Sequence, residues 1–238
     1  MRIETLLYDL DGTLCDSAAN IGQAVNRTRA DLGLEPLPVA HVGRYIGEGA
    51  RVLVERAFFG LLEPNLPRPA AVLPWALDRY EAVFSAFMTH YGEDPISHVT
   101  LFDGVIEALT HFRAQGVKQA VLTNKPHAFT GPLLDALGVT PLLDDVLGRF
   151  AVFDGHEVPS KPDPRSVAWL LGRLGRTREG TWLIGDGLAD ARVAEAAGIG
   201  FVLIRDGYGD PDRVLRESRP AAVVSSFAEA AAWLQALG

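Results

Sequence analysis

The 238-residue chain is nearly half hydrophobic and carries 22 basic against 30 acidic residues, a formal net charge of −8. That balance argues against nucleic acid or an anionic membrane surface as a main partner, because both attract basic proteins; a small anionic ligand stays open. The single cysteine, Cys15, excludes an internal disulfide, no apolar run approaches the roughly 18–20 residues of a membrane span, and Glu4, Asp9 and Asp11 stand where a signal peptide needs apolar residues, so the expectation is a soluble cytoplasmic protein.

Residues 2–8 form a short apolar stretch of strand length that runs into Asp9-Leu10-Asp11-Gly12-Thr13, a strand followed by a glycine turn. From Ser17 the pattern becomes helical. Ser17 can cap a helix whose apolar positions Ile21, Val25 and Leu32 recur at helical spacing and stop near Gly33. A second amphipathic helix spans about 50–62, prolines at 64, 67 and 69 break the chain, and a longer helix covers 70–91. No strand signal occurs between 17 and 99.

Beyond Pro95 the pattern alternates. Helix 105–114 precedes the apolar strand 119–123. A helix from about 126 precedes a weaker strand at 146–150, helix 165–174 precedes strand 181–185, and helix 189–197 precedes strand 200–204. A last strand at 221–225 and a helix at 228–237 complete the chain. Short, continuously apolar strands alternating with helices indicate an α/β fold with a doubly wound parallel sheet. The helical block is too long for one crossover, so residues 17–99 are expected as an inserted all-helical domain on a core made of 1–16 and 100–238.

Four segments carry candidate chemistry. Asp9 and Asp11, two apart at a strand end, lean toward one face, where a doubly wound sheet binds its ligands. One carboxylate can attack phosphorus while a second protonates the departing alkoxide and then activates water; an acidic turn capping backbone amides is the plain alternative. Thr123-Asn124 follows a strand directly, able to hold phosphoryl oxygens or simply to cap the next helix. Lys161 sits in Ser160-Lys161-Pro162-Asp163-Pro164, one of only three lysines in the chain, with Lys118 and Lys125. It can pair with the nucleophile as a compact point charge or face solvent. Gly185-Asp186-Gly187 ends another strand with Asp190 beyond it, either a tight turn or carboxylates that meet Asp9 around Mg2+, which two carboxylates and a backbone carbonyl suffice to hold.

Together and in this order, Asp9-Leu-Asp11-Gly-Thr13, Thr123, Lys161 and Gly185-Asp186 with Asp190 resemble the four motifs of the haloacid-dehalogenase superfamily of phosphatases. The resemblance implies strand order 3-2-1-4-5, Asp9 as nucleophile and Asp11 as general acid/base. It further implies a magnesium site from Asp9, Asp186 and the backbone carbonyl of Asp11. Thr123 and Asn124 would bind phosphoryl oxygens, Lys161 would balance charge, and Asp190 would support the metal site or orient Lys161. Gly187 departs from the Ser or Thr usual at that position. Block 17–99 resembles the superfamily's cap domain, which closes over the site and contacts the rest of the substrate.

Within the superfamily, Asp9–Ser17, Ala24–Thr28, 46–56 and Val121-Leu-Thr-Asn-Lys-Pro126 resemble phosphoglycolate phosphatases. That implies hydrolysis of 2-phosphoglycolate to glycolate and phosphate; a phosphomutase, or a phosphatase for another small phosphorylated metabolite, are the alternatives. A dehalogenase attacks carbon and has no use for Asp11, and a non-catalytic relative would lack one of Asp9, Asp11, Lys161 or Asp186. A glycolate carboxylate needs a donor, which Arg51 or the amides around Gly47 and Gly49 can supply; otherwise Arg51 is a solvated helix charge. Lys125 either reaches the site mouth or faces solvent, and His156 reads as a loop residue. Oligomeric state has no signature in the sequence.

Overall fold

The computed structural model describes residues 2–59 and 74–237. The first half holds β1 (Thr5–Tyr8), β2 (Cys15–Asp16), α1 (Ala18–Asp31), α2 (Val39–Gly43), α3 (Ala50–Phe59), α4 (Pro74–Glu93), β3 (Thr100–Leu101), α5 (Val105–Ala114) and β4 (Lys118–Pro126). The second holds α6 (His127–Ala136), β5 (Asp145–Arg149), β6 (Val152–Phe153), β7 (His156–Glu157), α7 (Arg165–Leu174), β8 (Thr181–Gly185), α8 (Leu188–Ala197), β9 (Gly200–Ile204), α9 (Pro211–Glu217), β10 (Ala222–Val224) and α10 (Phe227–Leu237).

Six strands form one sheet in the order β10-β9-β8-β1-β4-β5, and every neighbouring pair is parallel. This is the expected order with β10 added at one edge. Alternate side chains of a strand serve opposite faces. Leu6 and Tyr8 therefore join one apolar cluster with α5, α6 and α10, while Leu7 joins another with α7 and α8. All four residues of β1 are buried. A fully buried apolar side chain contributes about 1.5–3 kcal/mol, so Asp9 leaves a strand firmly embedded in the sheet. Helices α7 and α8 both stop at a left-handed glycine, Gly175 (φ 62°) and Gly198 (φ 67°), the conformation that ends helices at least cost for a residue without Cβ.

Chain order reverses direction between β1 and β8, which lie side by side with Tyr8 opposite Ile184. In such sheets ligands bind outside the carboxyl ends of the strands at this switch point. Asp9 and Asp186 follow directly from those two strand ends.

Helices α1, α3 and α4 pack around their own apolar cluster, which includes Val25, Leu53, Val54, Val83, Phe87 and Tyr91. They enter and leave through β2 and β3, an antiparallel ribbon pairing Cys15 with Leu101 and Asp16 with Thr100. Among the described residues of this segment no strand occurs. The expected chain break at 64–69 and the ends of the two helices flanking it lie outside the described residues. Two short helices, α2 and α9, escape a periodicity reading because neither completes more than two turns. His156 belongs to the β6–β7 hairpin, not to a loop. No described helix is long and apolar enough to cross a membrane.

One local expectation is overturned. Ser17 stands at the N-terminus of α1 but does not cap it with its side chain. Its hydroxyl donates to Asp11 Oδ1 at 2.6 Å. The phenol oxygen of Tyr208, from the loop after β9, accepts from the Ser17 and Ala18 amides at 2.7 and 2.9 Å. The early amides of a helix need an acceptor, and a distant tyrosine supplies it.

Candidate active site

Backbone geometry at the end of β1 is set by a tight turn in which Leu10 O accepts from the amides of Thr13, Leu14 and Cys15. The turn brings Asp9 and Asp11 to the same side of the sheet. Asp9 Oδ1 accepts from the Leu10 amide at 2.7 Å and lies 2.8 Å from Lys161 Nζ. Both contacts fall on one oxygen. Lys161 Nζ also donates to Asp190 Oδ1 at 2.6 Å, and Asp190 Oδ2 accepts from the Gly187 amide at 3.0 Å. Asp190 is thereby fixed from both oxygens, at the start of α8.

Asp186 is held differently. Its Oδ2 accepts from the amides of Tyr208 (2.6 Å) and Gly209 (3.1 Å), and its Oδ1 from Thr13 Oγ1 at 3.2 Å. The loop closes so tightly that a Cβ on Gly207 would lie 2.3 Å from the Asp186 Cβ, and one on Gly209 2.1 Å from its carbonyl oxygen. Only residues without a side chain can sit there. The Gly207-Tyr208-Gly209 segment was not anticipated; glycines flanking an aromatic after an apolar strand were the available signal.

Carboxylate oxygens of Asp9, Asp186 and Asp190 approach within 4.8 Å of one another, all buried. Burial pushes Asp9 up to about 8, with Asp190 and Asp186 adding to the effect against the pull of Lys161. Burial and then Asp190 push Asp186 up to about 6, against the two backbone amides. Burial disfavours the Lys161 ammonium, but Asp190 and Asp9 outweigh it and keep its pKa above the ordinary lysine value. Three buried carboxylates around one ammonium leave negative charge uncompensated, and a hard divalent cation with oxygen ligands fits that donor set.

Across the site, Lys125 is also buried, its Nζ donating to Asp11 Oδ1 at 2.9 Å. It does not face solvent. The Lys125 amide donates to Thr123 Oγ1 at 3.2 Å, and Asn124 Nδ2 donates to the Gly47 carbonyl at 3.3 Å. Arg149, at the end of β5, donates to the carbonyl of Glu48 at 3.1 Å. The loop before α3 is thus tied to the sheet from two strands. Between loop and sheet lies a cavity of about 40 Å³, lined by Asp9, Asp11, Thr123, Asn124 and Lys125 below and by Ile46, Leu53, Phe87 and Tyr91 above. Gly47 and Gly49 also line it.

Arg51 does not. Its guanidinium pairs with Glu81 on α4 at 2.7 and 3.4 Å and stacks over Phe84 with its Cζ 4.4 Å from the ring centre. The structure brings Asp9, Asp11, Thr123, Asn124, Lys161, Asp186 and Asp190 together and leaves Arg51 aside on a helix flank. It places Lys125 inside the site and adds Ser17 and Tyr208; the partners of Lys125 and Tyr208 lie 114 and up to 192 residues away, beyond the reach of any local pattern.

The structure is thus an α/β fold with a doubly wound sheet whose acidic strand ends meet a buried lysine at the switch point. Residues 3–198 match the model of the haloacid dehalogenase-like hydrolases, and the chain belongs to that family. It is 33% identical to the phosphoglycolate phosphatase of Rhodospirillum rubrum, over 97% of this chain and 90% of the relative. With that of Thiobacillus denitrificans it shares 34% identity over 97% and 95%. Among solved structures it is similar to a predicted phosphoglycolate phosphatase from Haemophilus somnus, with a TM-score of 0.80 at 27% identity over 100% and 99% of the two chains. A second, from Lactobacillus delbrueckii, gives a TM-score of 0.84 at 22% identity and shares the fold.

Proposed function

We propose that the protein is a magnesium-dependent phosphatase that hydrolyses a small phosphate monoester through an aspartyl-phosphate, and that its substrate is 2-phosphoglycolate. The observation that carries the reading is Asp9 pinned by one oxygen, 2.8 Å from a buried Lys161. The other oxygen carries neither contact. In the first step that oxygen attacks phosphorus as the ester P–O bond breaks, and Asp11 gives its proton to the departing alkoxide. In the second, Asp11 takes a proton from water, whose oxygen attacks phosphorus. The bond to Asp9 breaks, releasing phosphate and restoring the carboxylate.

Thr123, Asn124 and Lys161 bind the phosphoryl oxygens, and Asp190 positions Lys161. Magnesium held by Asp9, Asp186 and the Asp11 carbonyl supplies positive charge against phosphoryl and carboxylate oxygens. Residues 17–99 act as a cap domain on a core of 1–16 and 100–238, closing over the site and excluding bulk solvent from it. A cytoplasmic setting fits a soluble metabolite as substrate. The names of the relatives and the small cavity support the choice of 2-phosphoglycolate.

Phosphate release with magnesium, measured across a panel of small phosphate esters, tests the reading. The expected result is fastest turnover per enzyme with 2-phosphoglycolate and loss of at least about 10³-fold in Asp9→Asn. Isomerised sugar phosphate without free phosphate would overturn it in favour of a mutase.

A further inference from the structure

The cavity above the two aspartates has a polar floor and an apolar roof, and two of the side chains lining it hold N–H or O–H donors to spare. One is Lys125, 5% exposed and, among the described residues, the sole cationic side chain lining the cavity. Its ammonium donates to Asp11 Oδ1 and also acts on the Tyr91 hydroxyl, which leaves one of its three N–H donors over. The other is Tyr91 on α4, 2% exposed, whose hydroxyl is buried and finds no acceptor. Lys125 Nζ lies 5.1 Å from the centre of the Tyr91 ring. It acts on the phenol through its charge and as a hydrogen-bond donor, but an ammonium can only donate, so the phenol proton has no acceptor.

We propose that Lys125 and Tyr91 together form the receptor for a carboxylate on the leaving group, the role that Arg51 cannot fill. This rests on the phosphatase reading above and assigns its substrate specificity to two residues. A buried anion needs a cation and hydrogen-bond donors to replace water, and these two side chains offer both at one end of the cavity. Asp11 keeps Ser17 Oγ at 2.6 Å when Lys125 shares itself with the ligand. The Tyr91 ring is fixed by stacking on Phe87, with centroids 5.7 Å apart, and by an edge contact with Phe129 at 5.1 Å, so its hydroxyl is presented at low conformational cost. Because Tyr91 comes from the helical segment and Lys125 from the sheet, a bound carboxylate joins the two. A substrate without one leaves the phenol unsatisfied and the roof less firmly held.

The test compares kcat/KM for 2-phosphoglycolate with that for ethyl phosphate, which replaces the carboxylate by a methyl group. Wild type prefers 2-phosphoglycolate. Lys125→Met lowers that preference about thirtyfold or more, and the near-isosteric Tyr91→Phe lowers it about tenfold. Equal losses on both substrates, leaving the ratio intact in both variants, would overturn the receptor while sparing the phosphatase. A wild type without preference would sink the 2-phosphoglycolate reading and the receptor with it. Should Lys125→Met fail to fold, Tyr91→Phe and the wild type decide. With only three lysines, Nζ-labelled protein gives a resolved Lys125 signal. It shifts with 3-phosphonopropionate and not with propylphosphonate; identical responses to the two would overturn the proposal.

Discussion

The floor and the roof of the cavity are built on opposite principles. On the floor every charged group is committed: Asp9 and Asp190 share Lys161, Asp11 has Lys125 and Ser17, and Asp186 is wrapped by two amides and a threonine hydroxyl. The roof is apolar; two of its carbonyls, those of Gly47 and Glu48, accept hydrogen bonds from the sheet, and the proton of its Tyr91 phenol has no acceptor. Preorganised charge suits a transfer whose transition state is stabilised by fixed electrostatics. An apolar, lightly tethered roof suits a surface that opens for each substrate and reads its shape.

If that contrast is right, damage to the floor costs far more than damage to the roof. Lys161→Met strands two buried carboxylates, and breaking a buried pair typically costs about 3–5 kcal/mol; urea unfolding of the magnesium-free variant measures it, and phosphate release falls to background. Asp190→Asn leaves Asp9 to hold Lys161 alone. The expected result is a fall in kcat of about 10–100-fold with a weaker metal requirement curve, read from phosphate release against magnesium concentration.

Magnesium itself sharpens the comparison. Without metal, Asp9 and Asp186 have folded-state pKa values near 8 and 6, above the ordinary carboxylate value. The folded state therefore binds more protons than the unfolded one, and stability falls as pH climbs from the carboxylate range through about 6 and then 8. Magnesium offsets that repulsion, so its addition raises the melting temperature more at pH about 8 than below about 6. An equal rise at both would argue that the ion binds elsewhere.

Between floor and roof stands Tyr208. Its amide holds Asp186, and its hydroxyl donates to Asp16 Oδ1 at 2.5 Å while capping α1. Tyr208→Phe keeps the first contact and loses the rest, an expected cost of about 1–2 kcal/mol in thermal unfolding. The smallest effect belongs to Gly187. Its φ of −118° is open to any residue, and an added Cβ would meet only Asp190 Oδ2 at 3.4 Å. Gly187→Ser gains a helix cap worth a few tenths of a kcal/mol and leaves magnesium titrations of activity nearly unchanged.

The sheet and the floor were legible because their signals are local: apolar strand residues leading into Asp9, Thr123 and Asp186 dictate a switch point where these segments converge. The roof was not. Arg51 sits on a helix beside the cavity, and nothing nearby in sequence announces Glu81, which comes 30 residues later and turns it away. Lys125 and Tyr91 meet only when α4 packs over the sheet, and Ser17 gave a helix-cap signal whose hydroxyl the fold spends on Asp11. Partners contributed by another element are invisible to spacing rules.

The claim on which the account turns is that Asp9 becomes covalently phosphorylated. Borohydride added to the wild-type enzyme during turnover of 2-phosphoglycolate reduces an acyl phosphate to the alcohol, and peptide mass spectrometry locates it. The account predicts homoserine at position 9, absent without substrate; an unmodified Asp9, with turnover still in progress, would contradict it.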